Sequence, residues 1–343
     1  MNHSIWSGQG RRIYLQEVGP RDGLQVEQRF VPTQDKIRWI NALSTAGMSK
    51  IEVTAFVSPK AIPALSDAEV VLREIERCPS TVYSALVPNA RGAERAIESR
   101  ADELNWVMSA SETHNLSNLR MTRDQSFAGL REVSDLARSA SVAVNVSLSC
   151  SFGCPMEGDV LIETTLSWCE RFVREMGIQA VTLCDTTGMA YPTQVFTLVQ
   201  AFRARFPSTE LTLHFHNTRG MGLANVLSAI DAGADRFDSS LGGIGGCPYA
   251  PGATGNICTE DVLHALELMG YNTNVDLLAV MTAAAQLPEL IGHDIPSQLL
   301  KAGRRLDLHP RPADFEGIRE RAWAGAGAIA QNRRRQLVDC RDE

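Results

Sequence analysis

Two histidines two residues apart, His214 and His216 in the stretch HFHNT, are the sharpest chemical signal in this 343-residue chain. On a β-strand alternate side chains share a face, so the two imidazoles stand side by side while Leu213 and Phe215 turn the other way. Such a pair either shares a metal ion or is a hydrogen-bonded pair in the core. A carboxylate brought to it from elsewhere completes a two-histidine, one-carboxylate set with open positions for a substrate. Asp22, in the stretch EVGPRDGLQ, is the candidate. Its neighbour Arg21 adds a permanent charge whose directed N–H groups suit a developing enolate or carboxylate. Asp-Gly is also a common turn, so this stretch takes its meaning from the rest of the chain.

A second stretch with chemical content is GGIGGCPYAPGATGN, from Gly242 to Asn256. Six of its fifteen residues are glycine, and it carries one thiol, Cys247. Loops of this kind cradle phosphates or fold over active sites, and glycine allows the backbone angles that both need. Further polar groups stand at the ends of apolar runs: Glu17, Glu52, Asn89, His114, Ser149, Asp185, and Asp238 with Ser239 and Ser240. Glu52 reads as a direct participant or as the salt-bridge partner of one. Asp185 reads as an active-site acid or as a side chain capping its own turn. Cys184, beside it, is expected to point away from the centre. His114, in SETHN, is a pocket contact or a plain loop histidine. Cys150 and Cys154, in SCSFGCP, have no histidine to complete a metal site and read as loop packing.

The elements that must position these groups recur with a rhythm. IYLQEVG (13–19), KIEVTAF (50–56), TVYSALVP (81–88), ELNWVMSAS (103–111), VAVNVSLSC (142–150), AVTLCDT (180–186), LTLHFHNT (211–218) and RFDSSLGG (236–243) are short, apolar and rich in β-branched or aromatic residues. They read as eight strands with helical patterns between them. Eight βα units in succession predict a (β/α)8 TIM barrel, whose catalytic groups gather at the carboxyl ends of the strands. A doubly wound sheet is the competing layout, but no GxGxxG follows the first strand. After about residue 260 the pattern continues as extra C-terminal helices. The expected organisation is an N-terminal arm over 1–12, the barrel with its C-terminal helices over 13–303, and a peripheral or partly disordered Arg-rich tail over 304–343.

Composition narrows the partners. Forty acidic against 33 basic residues give a net charge of −7, which argues against nucleic acid or an anionic membrane. No run approaches the ~18 apolar residues of a membrane-spanning helix. MNHSIWSGQGRR lacks the apolar core of a signal peptide, so a cytoplasmic protein without membrane or nucleic-acid partners is expected. Eight scattered cysteines with no CxxC pair read as buried small hydrophobes rather than disulfides.

EVGPRDGLQ, IEVTAFVSP, GCPMEG, DTTG, HFHNT and GGIGGCPYAPGATGN, in that order between about residues 13 and 303, resemble the 3-hydroxy-3-methylglutaryl-CoA lyase family. That family lies in a superfamily of metal-dependent barrel enzymes that also holds isopropylmalate and homocitrate synthases. The resemblance implies that Asp22, His214, His216 and Asn256 hold a divalent metal, Mg²⁺ or Mn²⁺. Ligand softness alone would put Mn²⁺, Fe²⁺, Co²⁺ or Zn²⁺ ahead of Mg²⁺. It further implies that Arg21 stabilises an enolate, that Cys247 is the catalytic cysteine of the glycine loop, and that Glu52 and Asp185 are additional active-site acids. The substrate is then a small-molecule acyl-CoA, and the assembly a homodimer or higher homo-oligomer. Relatives carry Asp where this chain has Asn217, which by alternation faces away from the metal.

The implied reaction cleaves the C2–C3 bond of a 3-hydroxy-3-methylglutaryl-CoA-type thioester to acetyl-CoA and acetoacetate, or a homologous oxo acid. Cys247 is the candidate proton donor to the enolate carbon. His214, Asp22 and Asp185 are all candidate bases, although a metal-bound nitrogen cannot accept a proton. Three alternatives stand beside this reading. One is a lyase for a longer branched 3-hydroxyglutaryl-CoA. Another is a condensing acyltransferase of the isopropylmalate synthase type, which would want a regulatory domain larger than the tail. The last is a non-catalytic acyl-CoA-binding barrel.

Overall fold

The computed structural model describes residues 5–246 and 255–325. Eight parallel strands close into a barrel in chain order. They are β1 (Tyr14–Glu17), β2 (Lys50–Ala55), β3 (Val82–Val87), β4 (Glu103–Ser109), β5 (Ala143–Ser149), β6 (Ala180–Asp185), β7 (Glu210–Phe215) and β8 (Arg236–Ser239). β1 and β8 seal the barrel, with Gln16 opposite Asp238 and Glu17 opposite Ser239. Around them run α1 (Thr33–Thr45), α2 (Ala68–Glu74), α3 (Ala90–Glu98), α4 (Glu112–Leu119), α5 (Arg123–Ala140), α6 (Ile162–Glu170), α7 (Pro192–Arg205) and α8 (Gly222–Asp231). The chain then adds α9 (Thr259–Leu268), α10 (Leu277–Ala284), α11 (Leu287–Ile291) and α12 (Gln298–Ala302). This is the (β/α)8 barrel with extra C-terminal helices that the sequence predicts.

Two local expectations change. SETHN does not lie in a loop. Ser111 accepts a hydrogen bond from the His114 N–H and caps α4, and the helix ends where Arg120 turns left-handed at φ 59°. A capping box at Thr122 and Gln125 then starts α5 afresh. RFDSSLGG is strand only to Ser239; Leu241–Gly243 form a tight helical turn in which Gly242, at φ 68°, takes a conformation that favours glycine.

The apolar core lies between the strands and the helices. Leu15, Ile51, Leu104, Val146, Val181 and Leu213 all turn outward into it and are fully buried. The inside of the barrel is polar instead. Lys50 lies within 2.8 Å of Glu103, and Asn145 donates to both Asn105 Oδ1 and Thr182 Oγ1 at 3.0 Å. Parallel strands covered on both faces usually read as continuous apolar runs. Here alternate positions are polar because the interior is a hydrogen-bonded network rather than layers of aliphatic side chains.

Contacts divide the chain into one unit ending at Ala302 and a second beginning at Gly303. Within the second, residues 315–325 are helical. Among the described residues, no helix is long and apolar enough to cross a membrane.

The buried Lys50–Glu103 pair gives a stability prediction. Lys50→Met leaves a carboxylate unpaired inside the barrel and should cost about 3–5 kcal/mol in a denaturant titration. Adding Glu103→Leu to that variant should return most of the loss. Equal stabilities for wild type and Lys50→Met would show that the pair does not hold the interior together.

Candidate active site

The site is built from the two ends of the barrel sequence. β7 carries His214 into the barrel mouth, and His216 follows two residues later on the same face. β1 delivers the turn Gly19–Gly23, in which the N–H groups of Arg21, Asp22 and Gly23 all point at Val18 O. That turn is compact because Pro20 starts it and because Gly19 lacks a side chain. A Cβ on Gly19 would stand 2.6 Å from Glu17 Oε1. Asn256 arrives from beyond the glycine loop and pairs as a β-bridge with His216.

Three atoms face one another there. His214 Nε2 and His216 Nε2 are 3.2 Å apart, and Asp22 Oδ2 lies 3.9 Å from the first and 4.0 Å from the second. All three residues are buried. Asn256 Nδ2 donates to the same Asp22 oxygen at 2.8 Å, which leaves its carbonyl oxygen as the atom it can offer a cation. On its other nitrogen, Nδ1, His214 is 3.2 Å from Asp238 Oδ2. Asp238 thus fixes the imidazole and its tautomer from behind.

Beside this cluster the guanidinium of Arg21 is held at fixed angles. Its Nε donates to Glu52 Oε2 at 2.6 Å and its Nη1 to Asp22 Oδ1 at 2.7 Å. Glu52 is held in turn by Asn105, whose amide donates to Oε1 at 2.6 Å, and Gln25 donates to Asp22 Oδ1 at 3.0 Å. A bulge in β2 between Glu52 and Thr54 lets Glu52 reach this position at the strand's inner face. Burial alone would raise the Asp22 carboxyl, but Arg21 and the two imidazoles outweigh it and hold Asp22 down at about 2. Burial weakens the charge on Arg21, and Glu52 and Asp22 reverse that and lift it above its usual range.

The donor set fits a divalent cation. Three buried carboxylates, Asp22, Glu52 and Asp238, share this site with one guanidinium, so positive charge is short. Burial disfavours charge on both rings. Asp238 and Asp22 nevertheless push His214 up, while burial and then the charge of His214 push His216 down to about 4. The two rings are thus pushed in opposite directions across the 3.2 Å between their Nε2 atoms. His216 Nδ1 is buried without a hydrogen-bond partner. A divalent cation held by Asp22, His214 and His216 would supply the positive charge that this place lacks.

Other groups fall differently. Asp185 does not join the cluster; its Oδ1 accepts from the N–H groups of Met189 and Ala190 at 2.7 and 3.0 Å and caps the turn after β6. Burial raises it to about 6 against those two bonds. Cys184, expected to point away, faces the site instead. Thr182 sits in the barrel interior, so its alternation partner is Cys184, which lies opposite His214 in register. Burial and then Asp238 and Asp22 push its thiol far up. Asn217 does face away and caps α8 through Gly222 N–H at 3.0 Å. Cys154 packs in its loop, where Ser111 Oγ lies 3.0 Å from its sulfur. Cys247 lies outside the described residues. Asp238, Asn105 and Gln25 were not singled out for a role by their sequence context; inward alternation on β8 and β4 is the signal that would have found the first two.

All of this opens into a cavity of about 740 Å³. Arg21, Asp22, His214, His216 and Cys184 form its inner end, and Gly246 lies on its rim. Leu86, Val107, Leu119 and Met121 give it an apolar side, and His114 lines it from α4.

Because a cation would compete with a proton for His214, whose ring is pushed up, its binding should be linked to pH. Mn²⁺ affinity should weaken as pH falls through the raised His214 value. Calorimetry in buffers of different ionisation enthalpy should show about one proton released per ion below it. An affinity independent of pH would mean that no such competition occurs.

Residues 12–287 match the HMGL-like family. A hydroxymethylglutaryl-CoA lyase of Bacillus subtilis is 47% identical over 291 residues, covering 85% of this chain and 97% of the relative. A 3-hydroxy-3-isohexenylglutaryl-CoA/hydroxymethylglutaryl-CoA lyase of Pseudomonas aeruginosa is 38% identical, covering 85% of this chain and 97% of the relative. The solved structure of an HMG-CoA lyase from Acinetobacter baumannii, in complex with coenzyme A and 3-methylmalate, superposes with a TM-score of 0.85 at 50% identity. It covers 91% of this chain and all of the other. With a buried two-histidine, one-aspartate cluster at the mouth of an eight-stranded barrel and relatives of this similarity, the chain belongs to the HMGL-like family, that of the hydroxymethylglutaryl-CoA lyases.

Proposed function

We infer that this chain is a carbon–carbon lyase that cleaves a 3-hydroxy-3-methylglutaryl-CoA-type thioester into acetyl-CoA and acetoacetate, with Mg²⁺ or Mn²⁺ held by Asp22, His214, His216 and Asn256. The observation that carries the reading is the Arg21 guanidinium, locked between Glu52 and Asp22 at the inner end of the cavity, immediately beside the ligand cluster. When bound, the cation supplies positive charge where the substrate's oxygens become anionic and orients them.

The chain's own groups do the rest. The substrate's 3-hydroxyl loses its proton, the C2–C3 bond breaks, and the electron pair passes into the thioester as an enolate. Arg21 has its Nε and Nη1 edges fixed by carboxylates, and its Nη2 has no acceptor among the described residues. That free edge faces the enolate oxygen and needs no reorganisation to meet the charge. Cys247 gives a proton to C2 and completes acetyl-CoA. Gly246, its chain neighbour, lines the cavity.

Among the three candidate bases, Asp22 is too acidic at about 2, whereas Asp185, raised by burial to about 6, spends only Oδ1 on two backbone N–H groups. Burial disfavours charge on His214, and Asp238 outweighs it, so its ring is pushed toward the protonated form. The nitrogen that would take the proton is also the one facing His216 and Asp22, so at any moment it serves as base or as tight ligand and not as both.

Purified protein with Mg²⁺ or Mn²⁺ should convert 3-hydroxy-3-methylglutaryl-CoA to equal amounts of acetyl-CoA and acetoacetate. Cleavage only of an analogue with a longer alkyl group at C3 would move the substrate to the branched class named for the Pseudomonas relative, with that group against the apolar side of the cavity. No cleavage of either thioester would overturn the lyase reading.

Two variants separate the roles. Arg21→Met should lower kcat by roughly 10²–10³. Cys247→Ala should lose turnover and keep substrate binding. Normal turnover with weakened binding in Cys247→Ala would refute its role as proton donor.

A further inference from the structure

Glu17 is a carboxyl in the wrong place for the chemistry described so far. It ends β1, but Gln16 is the residue that faces the barrel interior there, so Glu17 turns outward with Leu15, where barrel strands present aliphatic side chains to the helices. It is fully buried. An acid in such a place is unfavourable unless its oxygens are engaged.

They are engaged by three separate segments. Oε1 accepts from the N–H of Gly19 at 2.7 Å and from the N–H of Leu241 at 2.9 Å. Oε2 lies 2.8 Å from the hydroxyl of Thr259, which is itself 2.9 Å from Ser239 Oγ. Gly19 opens the turn that carries Arg21 and Asp22. Leu241 opens the turn that leaves β8. Thr259 opens α9, three residues beyond Asn256. The segment between is zipped to the barrel rim: Ile257 N–H donates to Phe215 O, Ser240 N–H to Ile257 O, and Thr259 N–H to Ser240 O, all within 3.1 Å. The two sides of the glycine loop's base also press together, since a Cβ on Gly255 would stand 2.1 Å from Gly243 O. One side chain thus touches both pieces of backbone that deliver oxygen ligands to the cation site.

We propose that Glu17 is a positioning residue: from behind the barrel wall it fixes the turn bearing Asp22 against the segment bearing Asn256, and so sets the spacing of the metal ligands. This rests on the metal-dependent reading above. Burial, helped by Glu260 on α9 and opposed by the bonds from Leu241, Thr259 and Gly19, pushes Glu17 up to about 8. Thr259 donates to Oε2 while Oε1 accepts both N–H groups, and a hydroxyl can equally accept from a group at that position. Glutamine reproduces that pattern, with its carbonyl on the two N–H groups and its amide donating to Thr259.

The test measures Mn²⁺ binding by electron paramagnetic resonance without substrate, alongside kcat and KM. Glu17→Met keeps the arm and removes its oxygens, and it should weaken Mn²⁺ binding 10–100-fold, the usual effect of losing a partner behind a metal ligand. Glu17→Gln should restore binding to within about threefold of wild type, which a role in charge alone would not allow. Should Glu17→Met fail to fold, Thr259→Val removes one contact and should weaken binding several-fold. Glu17→Met or Thr259→Val binding Mn²⁺ as wild type does would overturn the proposal. So would Glu17→Gln binding as weakly as Glu17→Met. If wild type binds Mn²⁺ and cleaves no thioester while the variants behave as expected, the positioning role stands and the lyase reading falls. If wild type binds no Mn²⁺, both fall.

Discussion

Everything at the mouth of this barrel is arranged around one buried guanidinium. Arg21 cannot lose its charge, and a charge without water must be answered by groups at fixed places. Glu52 and Asp22 answer it at 2.6 and 2.7 Å. Each of those acids then needs its second oxygen satisfied, which brings in Asn105 behind Glu52 and Asn256 beside Asp22. Asn105 in turn accepts from Asn145 and Ser147. The polar interior of the barrel is therefore not an accident of composition. It is the continuation of the charge balance at the site, carried down through amides and hydroxyls until the strands can close.

The same logic explains why the site has room for a dication. Arg21 offsets only part of the negative charge gathered by Asp22, Glu52 and Asp238. The remainder is what pushes His214 up against its burial and leaves two imidazole nitrogens 3.2 Å apart. A protein could relieve this by neutralising one acid. This chain instead keeps a place where a small, doubly charged ion would offset that charge.

Much of this was legible in the sequence, and the losses have specific causes. The strands could be read because their outward residues are apolar and β-branched, and the histidine pair because alternation along β7 puts both rings on one face. Alternation misleads where its phase is unknown. Asp185 and Cys184 exchange their expected directions because Thr182, an unremarkable residue, is the one that faces the interior. Glu17 looked like one more polar strand end aimed at the centre, yet its phase sends it outward to Gly19, Leu241 and Thr259. The helix of SETHN was hidden by small polar residues that favour loops. Its start depends on the side chain of Ser111 reaching the His114 N–H, an interaction visible only in three dimensions.

The closure of β1 onto β8 also imposes an order in time. Asp22 and its partner Asn256 are separated by 234 residues. At ribosomal speeds, roughly ten to fifty seconds pass between the synthesis of the two. During most of that interval the N-terminal turn exists without β7, β8 or α9, so Asp22 lacks His214, His216 and Asn256 while Arg21 already has Glu52 in the chain. The ligand cluster is thus completed late, and a chain that ends before β7 holds Asp22 without either imidazole.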